Sequence, residues 1–333
     1  MPKLTKKISI QNAIADYLQF CSYKNLATKT IKSYSQTLYL FATWLEEEKQ
    51  IITIDKLNKE LVEEYITATK ERGKYTYVTS EEGAIKAGLY NRLDAGKEVS
   101  ISTLNNYLRN IKAFASYLDD EEILINNIHK CKFLKQKRKA KEQLTDEEFK
   151  RLTKCLDKSK YHEFRDYVII NLIFDTGMRL SETLHLTIND LSLTQKTILI
   201  SADISKNKKD RAVFFSSQMA VLLQRWLKYK DVFNETDIVF PTMRTCTYLS
   251  DSNFERNFRI YLARAKINKN ITPHSLRNNF GRRFLLNGGS IFILSKILGH
   301  SSVKVTEQHY LDLMNEDIKS KYSAYSPLNN LDL

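Results

Sequence analysis

Six side chains in the second half of this 333-residue chain are of the types needed to handle a phosphodiester. They are Arg179, in Thr176-Gly177-Met178-Arg179-Leu180-Ser181-Glu182, then Lys206, then His274 and Arg277, in His274-Ser275-Leu276-Arg277, then His300, in Leu298-Gly299-His300, and finally Tyr310. Two guanidinium groups can hold one phosphate through paired hydrogen bonds. A phenol oxygen can attack it, and an ammonium on a loop can protonate the alkoxide that leaves. His274 and Arg277, three residues apart, share one face if the segment is helical. Taken singly, each residue has an ordinary structural explanation. Arg179 follows a glycine turn, His300 can cap a helix, and Tyr310 is one of 18 tyrosines. A phenol with a free pKa of about 10 needs a cationic pocket and a base before it becomes a nucleophile at neutral pH. Glu182 either orients Arg179 or faces solvent. This chemistry calls for no metal, no ATP and no other cofactor.

The elements that must carry these residues are mostly helical. Residues 9–24, 28–48, 57–72 and 102–119 show apolar residues at helical spacing, for example Ile31, Tyr34, Leu38, Phe41 and Leu45, and read as a small N-terminal bundle. Residues 73–100, with four glycines, read as an insertion between the third and fourth helices. A charged run without apolar residues follows, and Thr145 with Glu148 forms a capping box that opens a new helix. The organisation expected is therefore an N-terminal helical domain at 1–133, a basic linker at 134–143 and a second domain at 144–333 ending in a tail. In that second domain Tyr167 to Thr176 reads as an apolar helix ending at Gly177. The β-prone runs 197–200 and 212–215 flank a basic tip, which suggests a hairpin. Residues 217–229, 252–266, 275–287 and 290–298 read as further helices.

The bulk composition points to partners. Lysine and arginine number 52 against 39 acids, a net charge of +13, which makes nucleic acid the first candidate and an anionic membrane surface the second. Lys135, Lys137, Arg138 and Lys139 in the linker, with Lys208, Lys209 and Arg211 at the hairpin tip, are the candidate phosphate-backbone contacts. The cysteines, Cys21, Cys131, Cys155 and Cys246, are far apart and lack metal-ligand spacing, as expected for thiols in a reducing cytosol. No apolar run reaches the roughly 20 residues needed to span a bilayer. No apolar stretch follows the basic N-terminus as in a secretory signal. A cytoplasmic, nucleoid-associated protein is expected.

In this order the boxes resemble the catalytic domain of the tyrosine recombinase (phage-integrase) family, over about Leu144 to Tyr325. Thr-Gly-Met-Arg-Leu-Ser-Glu resembles the family's first-arginine box. The turn Ser205 to Arg211 resembles the hairpin carrying the catalytic lysine, Thr-Pro-His-Ser-Leu-Arg the second box, and Leu298 to Val303 the third. The N-terminal bundle, with Thr30-Ile31-Lys32-Ser33-Tyr34, more loosely resembles the family's core-binding domain. The resemblance implies a mainly α fold with a small β-hairpin, in which a core-binding domain and a catalytic domain form a clamp on duplex DNA. It implies that Arg179 and Arg277 hold the scissile phosphate, with Glu182 in support. Lys206 would be the general acid, with Lys208 and Lys209 as alternatives. His274 would assist proton transfer, His300 would donate to a non-bridging oxygen, and Tyr310 would be the nucleophile. It further implies double-stranded DNA with specific sites as the partner, and a homo-tetramer on two sites formed from a chain that could be a monomer in solution. Three features depart from the family pattern, the first being the segment 73–100, which is longer than the family's compact forms carry. His300 to Tyr310 spans ten positions where nine is usual, and Asn278-Asn279 stands where the family often has His-Thr.

Several functions share this chemistry. Integration or excision of a mobile element is the expected role, and the lack of a sizeable domain before the first bundle leans towards a simple or transposon-encoded recombinase rather than a large phage integrase. Chromosome- or plasmid-dimer resolution and a type IB topoisomerase are alternatives. A catalytically silent DNA-binding module is the rival from another class. A metal-dependent transposase would need clustered acids at a spacing this chain lacks, and a membrane-surface scaffold would account for the charge but not for the ordered boxes.

Overall fold

The computed structural model describes residues 8–76, 85, 92–136, 142–202, 210–233, 235–300 and 302–310, with the isolated positions 322, 326 and 329. The chain divides into two compact units, Met1–Arg138 and Lys139–Leu333.

The first unit is helical. Helices α1 (Ile10–Tyr23), α2 (Thr28–Lys49), α3 (Lys59–Arg72) and α4 (Ile101–Asp120) lie within about two residues of the four periodic segments. Three begin on capping side chains: Ser9 accepts from the Asn12 N–H, Asn58 from Leu61 and Ser100 from Thr103. Their apolar faces meet in one core that includes Ile14, Leu38, Phe41, Leu45, Leu104, Leu108 and Phe114. A buried Asn110 is satisfied by Ser33 and by the Thr37 hydroxyl at 2.8 Å, which ties α4 to α2. Half of the expected insertion at 73–100, namely 77–84 and 86–91, lies outside the described residues. The same is true of Lys137, Arg138 and Lys139, whereas Lys135 is exposed.

The second unit begins with the expected capping box. Thr145 accepts from the Glu148 N–H and Glu148 from the Thr145 N–H, opening α5 (Asp146–Lys154). Helix α6 (Tyr161–Thr176) runs through the core and packs against α8 (Ser217–Phe233) and α10 (Pro273–Leu286). It starts six residues before the sequence expectation. Its first turns bury Glu163, Arg165 and Asp166, charged residues that pair inside the domain and so hide the apolar periodicity. A short α7 (Leu180–Leu184) follows, then three antiparallel strands among the described residues: β1 (Leu191–Ser192), β2 (Thr197–Ile200) and β3 (Arg211–Phe214). Helices α9 (Asp251–Arg264), α11 (Ile291–Leu298) and α12 (Val303–Tyr310) complete the described α-helices. The architecture is thus mainly α with a small sheet, as expected. Among the described residues no helix is long and apolar enough to cross a membrane.

Strand β3 starts one residue earlier than expected, and the shift matters. Ile200 is opposite Arg211 and Ile198 opposite Val213. Side chains alternate along a strand, so Arg211 shares a face with Val213, which is fully buried. Leu199 and Phe214 point the other way and are exposed.

Candidate active site

The site is built where three chain turns meet. The first closes α6. Gly177 ends that helix with φ +69°, and a Cβ there would lie 2.4 Å from Cδ1 of Phe280. Only glycine fits both the backbone and the space. The turn delivers Arg179 to the N-cap of α7, where its own N–H donates to Glu182 Oε2 at 2.9 Å and its Nη1 to Glu182 Oε1 at 2.7 Å. Glu182 is fully buried and Arg179 one-fifth exposed.

The second turn is the C-terminus of α11, closed by Gly299 with φ +61°. A helix end leaves carbonyls without internal partners, and together they form the negative pole of the helix dipole. Three consecutive carbonyls here each accept from a different arginine. Ile297 O takes Arg211 Nε at 3.2 Å, Leu298 O takes Arg277 Nη2 at 2.6 Å and Gly299 O takes Arg179 Nη2 at 3.3 Å. Arg277 also donates to Gly177 O at 2.7 Å, so it bridges the ends of α6 and α11. Arg179 and Arg277, almost a hundred residues apart in sequence, are held on one helix terminus.

The third turn opens α10, with Pro273 in its first turn and a capping box between Thr272 and Ser275. His274 is exposed on that turn, three residues ahead of the buried Arg277. His300 follows Gly299. Its backbone N–H bonds Ser295 O at 3.1 Å and its Nδ1 lies 2.7 Å from the hydroxyl of the buried Thr306. That contact orients the imidazole, with the proton's location set by the tautomer.

Glu182 has four donors. Arg211 reaches Oε1 with Nη1 at 3.0 Å and Oε2 with Nη2 at 2.6 Å, alongside the two bonds from Arg179. Burial alone would push this carboxyl up. The Arg211 hydrogen bonds and charge, followed by the Arg179 N–H and charge, outweigh burial and hold it below the usual carboxylate range.

Arg179, Glu182 and Arg277 come together, and His300 follows directly on the turn they share. Arg211, expected as a backbone-phosphate contact at the hairpin tip, is instead folded inward, its side chain 9 % exposed. Strand alternation counted back from Val213 would have found this, had the strand been started one residue earlier. Lys206, Lys208 and Lys209 lie outside the described residues, and Tyr310 is placed as the last residue of α12. The anchoring carbonyls of α11 were not anticipated at all.

The matching family model settles the affiliation. The description "Phage integrase family" fits residues 142–316, more than half of the chain. The chain belongs to the phage integrase family. A second model of that family, "Phage integrase, N-terminal SAM-like domain", matches residues 14–82. Tyrosine recombinases, as these integrases are also called, are DNA cleaving and rejoining enzymes. Among curated relatives, the tyrosine recombinase XerD of Lacticaseibacillus casei is 27% identical over 94% of this chain and 98% of its own length. Tyrosine recombinase XerC of Chlamydia caviae is 26% identical over 90% and 93%. Solved structures support the fold at lower identity. The Tn1549 transposon integrase, in complex with transposon right-end DNA, aligns at TM-score 0.71 with 16% identity over 95% of this chain and 99% of that one. The XerH site-specific recombinase bound to palindromic difH substrate aligns at 0.66 with 18% identity over 98% and 91%.

Proposed function

We propose that this integrase-family chain is a site-specific recombinase that cuts double-stranded DNA through Tyr310. Arg179 and Arg277 bind the non-bridging oxygens of the scissile phosphate, and His300 adds a further donor. The Tyr310 phenol oxygen attacks phosphorus as its proton leaves with assistance from His274. The bond to the 5′ oxygen breaks, and Lys206 protonates that oxygen. The products are a 3′-phosphotyrosyl link and a free 5′-hydroxyl. Attack by the 5′-hydroxyl of a partner strand reverses the sequence on the exchanged strand and returns the proton to Tyr310. One phosphoester replaces another throughout, so the bond energy is kept and no ATP is consumed.

The observation that carries this reading is the gathering of Arg179 and Arg277 on the C-terminal carbonyls of α11, one residue before His300. Guanidinium groups fixed in advance stabilise charge developing on phosphorus without reorganising during the reaction. The basic chain supplies the remaining affinity through phosphate contacts, Lys135 among them, so binding weakens steeply with salt.

Two biological roles share this chemistry. Relatives matching almost from end to end carry Xer names, which supports a resolvase role acting on paired sites. The likeness to a transposon integrase supports integration and excision of a mobile element. In either role the working form would be a homo-tetramer on two DNA sites. Plasmids carrying either directly repeated chromosomal candidate sites or candidate element ends separate the roles by which pair recombines.

The chemistry is tested with a nicked suicide substrate that traps the cleaved strand. The native chain is expected to form a covalent protein–DNA adduct, and Tyr310→Phe to form none while binding the same DNA nearly as tightly. An adduct in the Phe variant would move the nucleophile to another residue.

A further inference from the structure

We propose that Arg211 is a positioning residue that holds Arg179 ready for the phosphate through Glu182, and is not itself a contact to the DNA backbone. The inference rests on the recombinase reading and deepens its site.

Each oxygen of Glu182 accepts one bond from each arginine: Oε1 from Arg179 Nη1 and Arg211 Nη1, Oε2 from the Arg179 N–H and Arg211 Nη2. The carboxylate therefore cannot rotate toward either arginine without losing a bond to the other. The third donor direction of Arg211 is used on Ile297 O, one residue from the carbonyl that takes Arg277 and two from the one that takes Arg179. Gly299 leaves room for this, since a Cβ there would lie 2.9 Å from Arg211 Cδ.

The charge pattern agrees. Glu182 is fully buried and needs a full countercharge. Arg211, the more buried of the two arginines, supplies it with a bidentate pair. The charge of Arg179 is then left for an incoming anion. Without Arg211 the carboxylate would draw Arg179 to itself and compete with the phosphate. Lysine cannot replace the planar fork, because one ammonium cannot span both carboxylate oxygens and the Ile297 carbonyl.

The test uses the full chain with Arg211→Ala and Arg211→Lys. Binding is read as log Kd against log salt, and chemistry as single-turnover adduct formation at saturating DNA. Substrates carry either a normal scissile phosphate or an uncharged methylphosphonate. The expected result is an unchanged salt slope and adduct formation on phosphate slower by about 100-fold, within the range for removing one preorganised stabilising group. Most of that loss should vanish on the methylphosphonate, where less charge must be neutralised. Arg211→Lys should resemble Arg211→Ala, and because it keeps the charge it carries the comparison if the Ala variant does not fold. A salt slope lowered by about one contact's worth, roughly 0.9, with normal single-turnover rates would make Arg211 a backbone contact and overturn the proposal. Equal losses on both substrates would reduce its role to general scaffolding. If the native chain makes no adduct, the recombinase reading itself fails. Adduct formation as fast in both variants as in the native chain removes only the role given to Arg211.

Discussion

The catalytic unit contains two buried carboxylates of matching construction and different consequence. Asp166, on α6, accepts four hydrogen bonds: two from Arg165, one from Asn257 and one from the Tyr261 hydroxyl. Glu182, on α7, also accepts four, from Arg179 and Arg211. Both acids are fully buried. At Asp166 a single guanidinium meets a single carboxylate, and neutral donors fill the remaining positions. At Glu182 two guanidiniums share one carboxylate, and Arg179 is 20% exposed where Arg165 is 5% exposed. The first centre is closed and balanced, so it holds α6 to α9. The second keeps cationic charge in excess at the surface, beside the buried Arg277. A saturated buried carboxylate thus leaves no net charge when one guanidinium matches it, and leaves positive charge beside it when two do.

The largest expected effects separate a scaffold at Asp166 from a proposed anion receiver at Glu182. Asp166→Asn turns an amide toward the donors of Arg165, Asn257 and Tyr261. It leaves a buried guanidinium uncompensated, at a cost of about 3–5 kcal/mol. Urea denaturation should register that loss, while the fraction still folded forms adducts at a near-native rate. Arg179→Ala should do the reverse. Adduct formation falls by about 10²–10³-fold, the range for one lost stabilising donor, with a much smaller change in denaturation midpoint because Arg211 still pairs Glu182. If Arg179→Ala destabilised the unit more than Asp166→Asn, the contrast between receiver and scaffold would be wrong.

Gly177→Ala tests how the receiver is mounted. The new Cβ would meet the Phe280 and Leu298 side chains, and the residue would be held at positive φ. A strained backbone of this kind costs about 1–3 kcal/mol. The Gly177 carbonyl accepts from Arg277, so the displacement reaches the site. Loss of adduct rate beyond that of an equally destabilised core variant is expected. Equal losses would separate the turn from the chemistry.

Much of this arrangement was legible from residue types, and what was not has a physical cause. The four N-terminal helices were readable because each buries one apolar face against the others, so period and burial coincide. The start of α6 was missed because it buries ions, Arg165 paired with Asp166 and Glu163 with Arg264, and apolar periodicity has no signal for that. The two-residue β1 and the five-residue α7 are too short to show a period. Within the site, Arg179, Glu182 and Arg277 could be chosen by motif, but their meeting place could not. It is formed by carbonyls of Ile297, Leu298 and Gly299, and main-chain acceptors carry no residue identity. Arg211 was read as part of the turn because the strand was begun one residue too late; inside the strand it shares the buried face of Val213.

The smallest effect is a loss of stability as pH falls into the acid range. Glu182 and Glu163 are both held below their ordinary carboxyl value. In each case burial opposes the shift and hydrogen bonds overcome it, from Arg211 and Arg179 at Glu182 and from Arg264 and the Asp157 N–H at Glu163. A carboxyl whose folded pKa is depressed binds fewer protons in the folded chain than in the unfolded chain between the two values. Its stabilisation is therefore complete above the unfolded value, about 4.3, and lost as pH falls through the folded one. Melting temperature should be flat in this respect near neutrality and decline below about pH 4.3. Glu163→Gln and Glu182→Gln should each make the acid decline shallower, but only Glu182→Gln should also slow adduct formation at neutral pH, because only that carboxylate orients Arg179. An acid decline unchanged in Glu182→Gln would mean that its two arginines do not hold the carboxylate charged, and the receiver would lose its central anion.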